Sequence, residues 1–238
     1  MRILIVSDLH GNAPALDVLP KAYDQLWVLG DLVNYGPDPG TVIDFVRKHA
    51  TIVVQGNHDY AIGCHKDPRC SEPYRKAAEI MARFTERELS NDDKKYLADL
   101  PVSATVEVDG SRFFLCHATP SDPLFSYCPA ESNQWSIEVK TTESDVILCG
   151  HTHIPFIREV EGVRVANPGS LGQPKTGRPE ACYAIWENGQ ITLHSVPYDY
   201  KGTVAAIRAL TALGVPSSVK QMLIHVLESG GVLAATAS

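Results

Sequence analysis

The sequence lacks the features expected of a membrane protein or of a protein that binds duplex nucleic acid. No apolar run approaches the length of a membrane span, and only four apolar residues separate Arg2 from Ser7, too few for the core of a signal peptide. The 28 acidic residues outnumber the 21 basic ones, which gives a net charge of −7. Since duplex binding depends on neutralised phosphates, this charge argues against a broad basic face. We therefore expect a cytoplasmic protein with a small-molecule partner and no role at a membrane.

The sequence also contains no recognisable zinc or disulfide framework. Its six cysteines include no Cys-x-x-Cys pair, and Cys64, His65 and Cys70 share one loop without a second half-site. Cys116 and Cys149 lie in apolar, strand-like runs, which is typical of buried reduced thiols. We interpret the cysteines as structural or incidental thiols.

What the sequence does contain is enough apolar material for one α/β domain. It has 238 residues, of which 44% are hydrophobic and 21% are charged, as in an ordinary globular protein. No repeat, low-complexity linker or break in composition divides it, so we expect a single domain over 1–238. Two terminal helices are predicted within 201–229, and the small residues of 230–238 predict a frayed end.

The first sixty residues alternate short apolar strands with helical segments. Strands are predicted at 2–6, 26–29 and 52–54, and helices at 13–22 and 39–48. This alternation favours a parallel βαβ core. Asp8, Asp31 and Asn57 directly follow the three strands. Because the carboxyl ends of parallel strands meet at one edge, where ligands usually bind, we expect these three side chains to converge.

After a polar helical segment over 73–99, hairpin patterns dominate the chain. Each predicted hairpin has a turn that ends in glycine; the strand pairs are 103–108 with 111–116, 156–160 with 163–166, and 181–186 with 190–196. We predict that these hairpins form a second, largely antiparallel sheet.

Residues able to bind metal ions occur in five short blocks, each of which follows a predicted strand. The blocks are Asp8-Leu9-His10, Gly30-Asp31, Gly56-Asn57-His58-Asp59, Cys116-His117 and Gly150-His151-Thr152-His153. Their oxygen and imidazole donors suit divalent ions and need no thiolate. Alternate residues of an extended segment point the same way, so Asp8 and His10 can serve one ion together. The glycines that precede three of the donors allow a sharp turn and a close approach to the ions.

In this order, the blocks resemble the calcineurin-like metallophosphoesterase superfamily, and the ordered set is far more specific than any single block. Asn167-Pro168-Gly169-Ser170 is also similar to a segment of the small bacterial and archaeal phosphodiesterase branch. The resemblance implies an α/β fold, a four-layer α/β/β/α sandwich with two mixed β-sheets flanked by helices. It also implies two divalent metal ions at one edge of the sheets.

Carried over position by position, the resemblance implies two sets of metal ligands that share Asp31. One ion would bind Asp8, His10, Asp31 and His153, and the other would bind Asp31, Asn57, His117 and His151. Two divalent ions outweigh the charges of Asp8 and Asp31, so the site can attract phosphate although the protein is acidic. Manganese is the metal we expect first, and iron, zinc, nickel and cobalt accept the same donors.

The implied reaction is the hydrolysis of a phosphoester bond. A water between the ions would lose its proton near neutral pH, and the resulting hydroxide would attack phosphorus in line with the leaving oxygen. The resemblance gives His58 the role of general acid, which protonates the departing alkoxide. Asp59 is expected to orient His58 and to favour its imidazolium form, since a nearby carboxylate raises the pKa of a histidine.

The segment after Asp31 differs from the family's phosphatases. Protein phosphatases and dinucleoside tetraphosphatases generally have Asp-Arg-Gly here, whereas this chain has Asn34-Tyr35-Gly36. The missing guanidinium favours a phosphodiester, which carries less charge than a monoester. Tyr35 either stacks on a base or packs on its own loop. The candidate substrate contacts are Asn34, Tyr35, Gln173 and Arg178, with Lys175, His65, Arg69 and Tyr74 as further candidates in the neighbouring loops.

Three alternatives to a phosphodiesterase stay open. They are a phosphomonoesterase, a dinucleoside-polyphosphate hydrolase, and a catalytically inert binding scaffold of the same fold. A retromer subunit of the superfamily is such a scaffold, and it lacks the histidine of the Asn-His block. His58 is present in this chain, which favours an enzyme.

Overall fold

A computed structural model describes residues 1–70, 74–210 and 214–231. The strands are β1 (Arg2–Val6), β2 (Gln25–Val28), β3 (Ile52–Val53), β4 (Ser103–Val108), β5 (Ser111–Cys116), β6 (Val146–Leu148), β7 (Phe156–Val160), β8 (Val163–Asn167), β9 (Glu180–Glu187) and β10 (Gln190–Pro197). The α-helices are α1 (Pro39–His49), α2 (Asn57–Cys64), α3 (Arg75–Glu88), α4 (Asn91–Asp99), α5 (Trp135–Glu138), α6 (Tyr200–Ala209) and α7 (Ser217–Ser229). Two 3-10 helices cover Ala13–Val18 and Val139–Thr141.

The strands form two mixed sheets of five strands each. The first has the order β10-β9-β1-β2-β3, in which β1, β2 and β3 are parallel and β9 is antiparallel to β1. The second has the order β4-β5-β6-β8-β7, in which β5, β6 and β8 are parallel. The parallel strands of both sheets thus provide carboxyl ends at which a site can form.

The predicted hairpins are all present, but the expectation that they make one antiparallel sheet is wrong. The centre of the second sheet is parallel, and the last hairpin, β9-β10, extends the first sheet instead. The reason lies in β9, whose residues from Ala181 to Trp186 are all buried. Such a continuous apolar run suits a strand with neighbours on both sides, here β1 and β10.

The core is layered because successive side chains of each strand point to opposite faces. Ile3 and Ile5 of β1 pack between the sheets, in a cluster with Trp27, Phe113 and Trp186. The Phe113 ring meets the other two rings edge-on, at centroid distances of 5.2 Å to Trp27 and 4.8 Å to Trp186. The two sheets are thus joined by a shared apolar layer.

Helices cover the outer faces of the two sheets. Leu4 and Val6 of β1 cluster with Val42 and Val46 of α1 on the outside of the first sheet. On the second sheet, Ile147 of β6 clusters with Trp135 of α5 and with other apolar side chains. The order helix, sheet, sheet, helix confirms the predicted four-layer α/β/β/α sandwich.

Several helix bounds differ from those expected. The segment predicted as a helix over 13–22 is the short 3-10 helix Ala13–Val18, which ends where Leu19 becomes extended. The single helical segment over 73–99 is two helices, because Ser90 caps α4 by accepting a hydrogen bond from the Asp93 N–H at 3.1 Å. The terminal helices are α6 and α7; positions 211–213 and 232–238 of the predicted terminal region lie outside the described residues.

None of the helices in the described ranges is both long enough and apolar enough to cross a membrane.

Candidate active site

The seven predicted metal ligands gather at the carboxyl ends of both sheets. Asp8 and Asp31 follow β1 and β2, and Asn57 is the first residue of α2, just after β3. From the second sheet, His117 follows β5, and the pair His151 and His153 follows β6. Six of these side chains are buried, and His151 is partly exposed. The chain thus brings donors from distant sequence positions into one buried place.

A first group of donor atoms consists of Asp8, His10, Asp31 and His153. His10 Nε2 lies 3.2 Å from His153 Nε2 and 3.7 Å from Asp31 Oδ2. Asp8 Oδ1 lies 3.3 Å from His153 Nε2 and 3.9 Å from His10 Nε2. Donors at these separations can reach a common ion placed between them.

A second group is centred on His117. Its Nε2 atom lies 3.3 Å from Asp31 Oδ2, 3.1 Å from Asn57 Oδ1 and 3.2 Å from His151 Nδ1. Asp31 therefore lies beside both groups, as a bridging ligand must. Asp8 Oδ1 also lies 4.0 Å from His117 Nε2, so the carboxylate and imidazole donors that could hold an ion form the clusters Asp8, His10, His153 and Asp8, Asp31, His117.

Each donor is held by the atom that it does not offer to the site. The Nδ1 atoms of His10, His117 and His153 face the backbone carbonyls of Val33, Leu29 and Gln173 at 3.1, 2.7 and 2.7 Å. For His10 and His153 these contacts place the ring proton on Nδ1 and leave the Nε2 lone pair directed into the site. Burial acts to lower the pKa of His117, but Asp31 outweighs it and raises that pKa to about 9, so His117 Nε2 holds a proton that a bound ion would displace. Asn57 Nδ2 donates to the Pro68 carbonyl at 2.7 Å, which aims the Asn57 oxygen inward.

The chemistry of this arrangement fits a bound cation. His10 Nε2 and His153 Nε2 are both acceptors, yet they face each other at 3.2 Å. Burial lowers the pKa of His10 to about 3 and that of His153 well below its usual value, so both rings are neutral and available as ligands. Asp8 Oδ1 is buried and has no hydrogen-bond partner among the described residues. A divalent ion satisfies all three atoms at once.

The pKa values of Asp8 and Asp31 are shifted in opposite directions. Burial raises the pKa of Asp8 to about 6, although His117 acts to lower it. Burial also acts to raise the pKa of Asp31, but the neighbouring His117 and His58 outweigh it and hold that pKa well below its usual value. Asp31 therefore has a charged partner within the protein, whereas Asp8 depends on a partner from outside.

The backbone at the ligands is unusual. Asp8, His10, Asp31, His151 and His153 all have positive φ, between 46° and 65°. Side chains with a Cβ seldom adopt this left-handed region, and each such residue costs of order 1 kcal/mol or more. Backbone strain at five of the seven predicted ligands is typical of a functional site, where the surrounding structure holds residues in unfavourable conformations.

Close packing of backbone against the carboxylates explains two of the block glycines. A Cβ on Gly56 would collide with the Asp31 carboxylate, and a Cβ on Gly150 would collide with the Ser7 hydroxyl and approach Asp8 Oδ2. Glycine at these positions therefore allows the turn after one strand to press against the ligand that follows another.

His58 lies next to the second group but is not one of its donors. Its backbone N–H donates to Asp31 Oδ1 at 2.9 Å, while its ring Nδ1 lies 2.8 Å from Asn34 Nδ2 and its Nε2 lies 3.3 Å from Cys70 Sγ. Burial acts to lower the pKa of His58, but Cys70 and Asp31 outweigh it and raise the pKa to about 9. His58 therefore holds a proton at neutral pH.

The expectation that Asp59 orients His58 is wrong in the structure. The Asp59 carboxylate accepts hydrogen bonds from the backbone N–H groups of Asp31, Leu32 and Gly56 at 2.8, 2.9 and 3.0 Å. Residues adjacent on a helix point in different directions, so the side chains of His58 and Asp59 face different partners. Asn34 occupies the position against the His58 ring, and Asp59 fixes the turn that carries Asp31.

The candidate substrate contacts separate into buried and exposed residues. Asn34 is buried against His58, and its amide is held because Oδ1 accepts from the Tyr35 N–H at 3.0 Å and Nδ2 lies 3.3 Å from the Ala78 carbonyl. Tyr35 packs edge-on against the rings of His10 and His58, which favours packing on its own loop over an open stacking surface. Gln173 is buried and its backbone carbonyl positions His153.

The remaining candidates lie nearer the surface. Arg178 is exposed, and His65 is exposed and paired with Glu86 at 3.3 Å. Arg69, Tyr74 and Lys175, by contrast, line a cleft that opens onto the metal ligands. The described residues that line this cleft are Asp31, Tyr35, Asn57, His58, Arg69, Cys70, Tyr74, Phe125, Tyr127, His151, His153 and Lys175. Sequence reasoning missed Phe125 and Tyr127, since no motif surrounds them.

A buried cage of carboxylate, amide and imidazole donors at the edge of a four-layer sandwich defines a metal-dependent hydrolase. The chain matches the family described as the calcineurin-like phosphoesterase superfamily domain over residues 1–189, and it belongs to that superfamily. It is accordingly a metal-dependent phosphoester hydrolase.

Individual relatives agree with this assignment. A protein of Methanocaldococcus jannaschii, MJ0912, is 27% identical over 83% of this chain and 87% of its own length. Phosphodiesterase YfcE of Escherichia coli is 25% identical over 81% of this chain and 91% of its own length. The crystal structure of a metallophosphoesterase from Sphaerobacter thermophilus matches with a TM-score of 0.78 and 29% identity, covering 95% of this chain and 98% of that one.

Proposed function

We propose that this protein hydrolyses phosphodiesters with two divalent metal ions and with His58 as proton donor. The observation that carries the proposal is the first donor group, in which the unprotonated Nε2 atoms of His10 and His153 face each other beside Asp8 Oδ1, an atom with no hydrogen-bond partner among the described residues. Such an arrangement is costly without cations, because buried acceptors would be left unsatisfied.

The residues that would hold the ions are those of the two groups. One set is Asp8, His10, Asp31 and His153, and the other is Asp31, Asn57, His117 and His151. When bound, the ions would supply the charge that makes a water nucleophilic near neutral pH and that offsets the charge developing on the phosphate. Manganese is our first choice, since a donor set of carboxylates, amide and imidazoles without thiolate suits it.

His58 is suited to protonate the leaving oxygen. Since its pKa is raised to about 9, the His58 ring is an imidazolium at neutral pH and carries a proton on Nε2, while the Asn34 side-chain amide, 2.8 Å from Nδ1, holds the ring. Nε2 faces the cleft, where Cys70 Sγ is its neighbour in the structure. A substrate oxygen that displaces this thiol would receive the proton directly.

Asn34 and Asp59 act through other residues in this proposal. Asn34 positions the His58 ring, so that the Nε2 proton points toward the cleft. Asp59 accepts from the N–H groups of Asp31 and Leu32 and so holds the bridging carboxylate in place. Both are positioning residues.

Three observations support a diester as the substrate. Tyr35 stands where many superfamily phosphatases have an arginine, so the loop after Asp31 offers no guanidinium to a dianionic phosphate. The relative from Escherichia coli, similar along most of both chains, is named a phosphodiesterase. The aromatic side chains Phe125 and Tyr127 at the cleft suit a nucleoside or other aryl substituent on the ester.

The proposal is tested by comparing bis-p-nitrophenyl phosphate with p-nitrophenyl phosphate as substrates of the manganese-loaded protein. We expect faster turnover of the diester, and a loss of about 10²–10⁴-fold in His58→Ala with both metals retained, since general-acid help is of that size. Elemental analysis of each sample reports the metal content. Faster turnover of the monoester would contradict the diester preference, and full activity in His58→Ala would remove His58 from the reaction.

A further inference from the structure

Lys175 lies beside the proposed metal centre and forms no ion pair with a carboxylate of the described residues. It lies in the loop after β8 and is half-buried at the cleft. Among the described residues its Nζ makes a contact with the face of the Tyr74 ring, 4.9 Å from the centroid, and none of the ion pairs includes it. Asp8 and Asp31 act on it electrostatically from across the cleft.

This placement is unfavourable for a lysine that serves only stability. Burial lowers the pKa of Lys175, which shows that its charge is costly where it stands. Two divalent ions bound by Asp8, Asp31 and the histidines would add like charge nearby and raise that cost further. The charge becomes favourable only when an anion enters the cleft between Lys175 and the ions.

The rest of the cleft fits an anion as well. Of the described residues that line it, Asp31 is the one carboxylate, and it is taken by the metal groups. Arg69 provides a second cation at the mouth, held over the Phe125 ring at 4.4 Å. The local charge is therefore positive in a protein whose net charge is −7.

We propose that Lys175, from the loop after β8, binds a non-bridging oxygen of the substrate phosphodiester. This inference rests on the proposed function, because it places the phosphate at the metal groups. A lysine suits the task as a compact charge on a flexible stem, while the contact with Tyr74 sets the direction of approach.

The inference is tested with Lys175→Met, which keeps the length of the side chain and removes its charge, with Lys175→Arg as the conservative variant. The control is Lys140→Met, because Lys140 is exposed and paired with Glu161 at 3.0 Å, away from the cleft. Binding of inorganic phosphate to the manganese-loaded protein is measured by calorimetry, alongside kcat, KM and the affinity for manganese.

We expect Lys175→Met to weaken phosphate binding and to lower kcat/KM for bis-p-nitrophenyl phosphate by about 10- to 100-fold, the usual effect of losing a hydrogen bond to a charged group. Manganese should bind more tightly to this variant, since a like charge has been removed. Lys175→Arg should recover most of the phosphate binding, and Lys140→Met should match the wild type.

The outcomes are separable. Unchanged phosphate binding in Lys175→Met, or a joint loss of phosphate binding and manganese binding, overturns the role of Lys175, because the second pattern is that of a structural residue. If the wild-type protein binds manganese and phosphate but hydrolyses neither ester, the proposed function fails while the phosphate contact of Lys175 is still decided by calorimetry.

Discussion

Replacing Asp8 by asparagine should stabilise the metal-free protein at the same time as it removes metal binding. Burial raises the pKa of Asp8 from 3.8 to about 6. An acid with a raised pKa in the folded state destabilises that state, because the unfolded chain loses its proton first as the pH rises through this window. A rise from 3.8 to about 6 lowers the free energy of unfolding at pH 7.5 by about 3 kcal/mol, since one pKa unit is about 1.36 kcal/mol.

The geometry favours the substitution for two further reasons. Asp8 has a φ of 55°, and asparagine tolerates the left-handed region as well as aspartate does. Asp8 Oδ2 accepts from the His151 N–H at 3.2 Å, a contact that the asparagine oxygen keeps. The amide nitrogen then faces His153 Nε2, which lies 3.3 Å from Oδ1 in the present structure and is free to accept.

The assay is urea denaturation of EDTA-treated proteins, with Asp31→Asn as the matched control. The pKa of Asp31 is held well below its usual value, chiefly by His117 and His58 against the effect of burial, so its charge stabilises the metal-free fold at neutral pH. We expect Asp8→Asn to raise the free energy of unfolding at pH 7.5 and Asp31→Asn to lower it. The gain from Asp8→Asn should disappear near pH 4. A loss of stability in both variants, or a gain that is the same at pH 4, would refute this electrostatic account.

Three other predictions concern the same region. His58→Ala should lose more activity on a diester whose leaving group is an alkoxide than on one whose leaving group is nitrophenolate, because only the more basic alkoxide needs a proton as it departs. An equal loss on both substrates would contradict proton donation by His58. Gly56→Ala should lower the free energy of unfolding by about 1–3 kcal/mol and weaken metal binding, because its Cβ would collide with the Asp31 carboxylate, whereas Gly40→Ala, which has open space around it, should do neither. Removal of metal by EDTA should lower Tm, and manganese added at about 100 times its Kd should raise the free energy of unfolding again by about 2.7 kcal/mol. An unchanged Tm would contradict a metal site.

The sequence predicted the fold and the donor blocks well because their signals are local. Short apolar strands that end at Asp8, Asp31 and Asn57 place those residues at a sheet edge whatever the rest of the chain does. The hairpins were equally visible, since a turn glycine between two alternating runs acts over few residues. The assignment of β9-β10 to a sheet was wrong because it depends on pairing with β1, which is far away in sequence.

The details of the site escaped prediction for a related reason. Asn34, Cys70 and Lys175 come from three separate loops, and nothing in their immediate sequence marks the contacts with His58 or with Tyr74. Asp59 is next to His58 in the sequence, but its carboxylate does not contact the His58 ring. Its true partners are the N–H groups of a different loop.

The hydrogen bond from His117 to the Leu29 carbonyl crosses from one sheet to the other, and His117 Nε2 meets Asn57 across the same boundary. The donor groups are therefore built from both sheets, and the aromatic layer of Trp27, Phe113 and Trp186 packs between those sheets. A substitution that thickens that layer at Trp27 or Phe113, remote from any ligand, would pull His117 away from Asp31. We therefore expect substitutions that disturb the packing between the sheets to lower the affinity for metal as well as the stability of the fold.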